Sequence, residues 1–112
     1  MKGENNMMTA QMARTLVDKN VNNEAKSPHF KFAIKKIENY IKEACEHGKT
    51  SFRYNICALE YTKHSGQFHG EFPSQALRKA IANELQKNGY RYREMNVMNI
   101  AGRFNECFEV SW

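Results

Sequence analysis

Apolar and polar residues alternate along this chain with two different periods, and the switches between them mark its elements. From Ser27 the period is helical: Phe30, Ala33, Ile34, Ile37, Tyr40, Ile41, Ala44 and Cys45 form one apolar stripe. Lys31, Lys35, Lys36, Glu38, Lys42 and Glu43 fall mostly off that stripe. Ser27 suits the N-cap, Pro28 the first helical position, where a missing N–H leaves nothing unbonded, and Gly48 the position after the last turn. A shorter helix is predicted upstream, roughly over 8–19, with Thr9 as its cap and Met12, Ala13, Leu16 and Val17 at helical spacing. Residues 20–26 then read as a linker, so 1–26 form an N-terminal helix and linker and 27–112 one α+β domain. A short amphipathic helix must bury its stripe, against the domain or a second subunit.

After Gly48 the period changes to two. Phe52, Tyr54, Ile56 and Ala58 alternate with Arg53, Asn55 and Cys57, which predicts a strand from Thr50 to Tyr61 with one apolar face. The stretch from Thr62 to Phe72 reads as a loop. A third helix is expected from about Pro73 or Ser74 to Asn88, with Leu77, Ala80, Ile81 and Leu85 on its stripe, Glu84 as the polar exception and Gly89 as its stop. Two more alternating runs, Tyr90–Val97 and Phe104–Trp112, flank a turn at Asn99–Arg103 and predict an antiparallel hairpin. Phe108, Val110 and Trp112 are assigned to its inner face. The fold class is therefore α+β in the order α-α-β-α-β-β, a three-stranded, mainly antiparallel sheet with helices packed on one face.

Length and composition add bounds. The chain has 112 residues, 41% hydrophobic and 26% charged, enough to build one core. Neither an apolar run long enough to span a bilayer nor a signal-peptide segment is visible, so the chain reads as cytoplasmic. Three scattered cysteines, Cys45, Cys57 and Cys107, agree with that reading, and as stripe and strand residues they are expected to be buried, inert thiols. The net charge of +5 favours an anionic partner: a nucleotide, a nucleic acid or an acidic protein surface.

Motifs for chemistry are sparse. Gly48-Lys49-Thr50 is like the end of a phosphate-binding loop, but it lacks the earlier Gly and follows a helix where the motif needs a strand. His64, His69 and Cys57 have no metal-site spacing, and no carboxylate pair stands out among Glu60, Glu71, Glu94, Glu106 and Glu109. Nothing calls for a cofactor, and a binding protein is expected rather than an enzyme. The candidate ligand residues are basic and aromatic: Arg53, Arg91 and Arg93 on the outer sheet face, Tyr92 on the opposite face of the second strand, Arg103 at the turn, and Lys63, His64, Phe68 and His69 in the loop that would close over an anion. The competing expectation is that these arginines pair across strands with Glu94, Glu106 and Glu109 and only keep the sheet soluble.

One resemblance concerns residues 28–112. A helix, the step Gly48-Lys49-Thr50, a strand, a helix, the step Gly89-Tyr90 and the closing Val110-Ser111-Trp112 resemble a group of small phage and prophage accessory proteins. The resemblance implies a phage context, in which proteins of this size antagonise host defence, some by sequestering a cyclic nucleotide signal. The reading is a cytoplasmic, oligomeric binding protein for an anionic nucleotide-like ligand. The alternatives are an inhibitor of a host protein, docking through a sheet edge or the N-terminal helix, or a basic nucleic-acid-binding protein.

Overall fold

The computed structural model describes residues 7–59, 73–98 and 100–112. Three helices, α1 (Ala10–Glu24), α2 (Pro28–Glu46) and α3 (Gln75–Lys87), combine with strands β1 (Ser51–Asn55), β2 (Arg91–Met98) and β3 (Phe104–Ser111). Each helix begins on a hydroxyl cap. Thr9 Oγ1 accepts from the Met12 N–H at 3.1 Å, Ser27 Oγ from Phe30 at 3.2 Å and Ser74 Oγ from Leu77 at 3.1 Å. Helices α2 and α3 end alike. The Lys49 N–H donates to the Ala44 carbonyl across left-handed Gly48, and the Tyr90 N–H to the Leu85 carbonyl across left-handed Gly89. Glu84 accounts for its place on an otherwise apolar stripe: its carbonyl and its carboxylate both accept from the side chain of Asn88, the last cap.

The sheet order is β1-β3-β2, and both pairings are antiparallel. The last strand is thus the central one, and β1, α3 and β2 form a strand–helix–strand crossover with β3 in its gap. The cause lies in β3 itself, whose Phe108 and Val110 are fully buried and need a neighbour on each side. Phe52 and Tyr92 lie opposite Val110 on the two flanks, so the inner face is continuous across the sheet. Ala33 and Ile37 of α2 and Leu77, Ile81 and Leu85 of α3 close over that face. No helix among the described residues is long and apolar enough to cross a membrane.

Several expectations are corrected. Strand β1 stops at Asn55, whose Oδ1 accepts from the Cys57 N–H at 2.9 Å and turns the chain into a short 3₁₀ helix, Ile56–Leu59. Ile56 and Leu59 are both fully buried at three-residue spacing, where a continued strand would have placed them on opposite faces. The expected linker is helical: α1 runs to Glu24 and turns into Ser27 through the Lys26 N–H bond to Asn23 and the Ser27 N–H bond to Glu24. None of the three cysteines is buried; Cys45 is exposed at the rim of its stripe, and Cys57 and Cys107 are half-buried. Trp112 is not sealed in the core but packs at its edge, its ring against Tyr90 and Phe52.

The molecule is elongated. Its radius of gyration is 17.2 Å, against about 13 Å for a compact domain of this length. Helix α1 packs on α3 but buries only Val21.

Candidate functional site

The β1 edge of the sheet and the last turns of α2 enclose an open cleft of about 280 Å³. Tyr40 reaches it from α2 and Tyr54 from β1, and their rings stack with centroids 4.1 Å apart and planes 24° from parallel. Tyr54 is on the core-facing parity of β1, yet 38% of it stays exposed at the open cleft. Phe52 meets the Tyr40 ring edge-on at 5.4 Å and fixes its tilt. The Tyr40 phenol titrates above its ordinary range, first because it is partly buried and then because the Tyr54 and Glu43 charges oppose a second anion.

Cationic groups line the same cleft. Lys49 and Arg53 flank it, and His47 closes its helix side. The Glu43 carbonyl can only accept, so His47 Nδ1 donates to it at 2.9 Å, which leaves Nε2 without the proton. The helix C-terminus would repel an anion, but the Gly48 and Lys49 N–H groups occupy the Cys45 and Ala44 carbonyls there. The arrangement offers a flat aromatic surface beside a positively charged rim.

The outer sheet face adjoins this cleft through Arg53. Two rows of side chains cross that face: Ser51–Ser111–Arg91 and Arg53–Glu109–Arg93. Glu109 holds both of its neighbours, accepting from Arg93 Nε at 2.7 Å and from Arg53 at 3.3 Å. Those bonds, that from Arg93 foremost, draw its carboxyl below the ordinary range against a smaller opposing effect of burial. The exposed side chain of Arg91 has no ion pair among the described residues. Three arginines and one carboxylate leave the face net positive.

The predicted residues are therefore divided. Arg53, Arg91 and Arg93 share one face, as expected. Arg103 is exposed in the hairpin turn. Tyr92 lies on the opposite, core-facing side, stacked on Phe108, with its hydroxyl donating to Glu94 at 2.6 Å. Burial and that bond push its phenol far above the ordinary range. It offers no stacking surface to the arginines. Lys63, His64, Phe68 and His69 lie outside the described residues.

Of the three acids expected opposite the arginines, only Glu109 takes that place. Glu94 and Glu106 share the parity of Phe108 and meet Arg78 of α3 at 3.2 and 3.6 Å. Arg78, Tyr40, His47, Lys49 and Tyr54 were not among the sequence candidates. Tyr40 and Tyr54 were legible as the two stripe residues carrying a polar tip, which favours a rim position over a sealed core.

No known protein-family model matches the chain, and neither a curated protein nor a solved structure resembles it significantly.

Proposed function

We propose that this protein binds an anionic, nucleotide-like ligand in the cleft between α2 and β1. The observation that carries the reading is the stacked Tyr40–Tyr54 pair with Lys49, His47 and Arg53 around it. A base lies on the exposed face of Tyr54, phosphate oxygens meet Lys49 and Arg53, and Glu43 accepts from a base or ribose donor. Nothing in this reading requires a bond to be made or broken. The protein would act by withholding its ligand rather than transforming it, so it is a binder and not an enzyme.

The resemblance to small phage accessory proteins supplies the setting: a host cytoplasm in which a nucleotide signal is sequestered and a defence response is silenced. Calorimetric titration with a panel of linear and cyclic nucleotides tests the reading. Saturable binding that is weakened by Tyr54→Ala and by Lys49→Ala supports it. The absence of heat with every member of the panel overturns it.

A second reading rests on the outer face, where Arg53, Arg91 and Arg93 surround a single carboxylate. A polyanion such as single-stranded nucleic acid would lie across that face, with affinity falling steeply as salt rises. Arg91→Ala separates the two readings, because Arg91 does not line the tyrosine cleft.

A further inference from the structure

Helix α1 has an apolar face that the other described residues leave uncovered. Met12 and Leu16 follow one another at helical spacing with Val17 beside them, each about half exposed, and Met7 and Met8 extend the stripe ahead of the cap. An apolar row of this extent is often a site of interaction. We infer that a second copy of this chain covers it, through antiparallel pairing of the two α1 helices about a two-fold axis.

Area supports a second copy. The five side chains expose on the order of 500 Å² per chain, so a two-fold pairing covers about 1,000 Å², the threshold of a specific interface. Charge supports it as well. The segment from Met7 to Ala13 carries no charged residue, so two copies meet there despite a net charge of +5 each. Methionines, unbranched and polarisable, adapt to their own copies across an isologous contact.

The orientation follows from where α1 is anchored. Val21, near its C-terminal end, is seated on α3, so the body of the domain lies at that end. Antiparallel pairing sets the two bodies at opposite ends of a helix about 22 Å long and opposes the helix dipoles. Parallel pairing would press the bodies together and set Lys19 beside its own copy. The elongation of the single chain, with α1 contributing one buried side chain, is what this assembly leaves when one copy is taken alone.

Light scattering on the full chain over a wide concentration range tests the inference. The expected mass is twice 13.1 kDa, returning to 13.1 kDa in the double variant Met12→Glu, Leu16→Glu with its helical circular dichroism kept. Met12→Leu, with the same apolar character, stays dimeric. A wild-type chain that remains at 13.1 kDa at every concentration overturns the inference, whether or not it binds lipid vesicles. So does a charged variant that dimerises as the wild type does. Nucleotide titration of the same samples reads the cleft independently, so failure of one proposal leaves the other standing.

Discussion

Tyr54 lies on Tyr40 with ring centroids 4.1 Å apart, joining an edge strand to a helix at the mouth of the cleft. Stacked pairs of this kind contribute about 0.5–1.5 kcal/mol beyond the area they bury. Tyr54→Ala loses that contribution together with the ring's buried area, so it should lower stability by at least about 1 kcal/mol in urea denaturation and weaken nucleotide binding roughly tenfold or more by calorimetry, from a stacking contribution of about 1–3 kcal/mol per base. Tyr54→Phe should preserve both.

Glu109 sits between two arginines and its carboxyl titrates low. Because the folded value is depressed, the stabilisation is present above the ordinary carboxylate range and is lost as pH falls through the folded value. Melting temperatures of wild type and Glu109→Gln should differ near neutrality and converge in acid. The gap should be small, since the arginine partners are 46% and 67% exposed. The same variant releases Arg53 at the cleft and should tighten binding of an anion, which calorimetry would read directly.

Tyr92 behaves in the opposite sense. Its phenol is held protonated by burial and by the bond to Glu94, so above about pH 10 the unfolded chain loses a proton that the folded chain keeps. Stability should fall as pH rises through that range. Tyr92→Phe should make the fall shallower in alkaline urea melts.

Gly89 adopts φ +90° so that the Tyr90 N–H can reach the Leu85 carbonyl and end α3. A side chain meets no atom there, so the whole effect of Gly89→Ala is backbone strain. The expected loss is about 1–2 kcal/mol, read from the denaturation midpoint, with an equal effect for Gly48→Ala at the end of α2.

What the sequence by itself determined is local. The three hydroxyl caps, the two glycine stops, the core stripes of α2 and α3 and the hairpin are each written in a few consecutive residues, because a cap bond spans three positions and a pleat repeats every two. Parity along β1 and β2 was enough to set Arg53, Arg91 and Arg93 on one face. What only the tertiary structure decided involves partners far apart in the chain. Arg53 meets Glu109 across 56 positions, and that register follows from β3 being central, which no local pattern specifies. Strand parity alone puts Glu94 and Glu106 on the core side, but that both meet Arg78 follows only from α3 packing on β2. The cleft depends on α2 lying over β1, which stacks Tyr40 on Tyr54 and leaves Tyr54 partly exposed, and both elements pack on the shared core that holds Ile37 of α2 and Phe108 of β3.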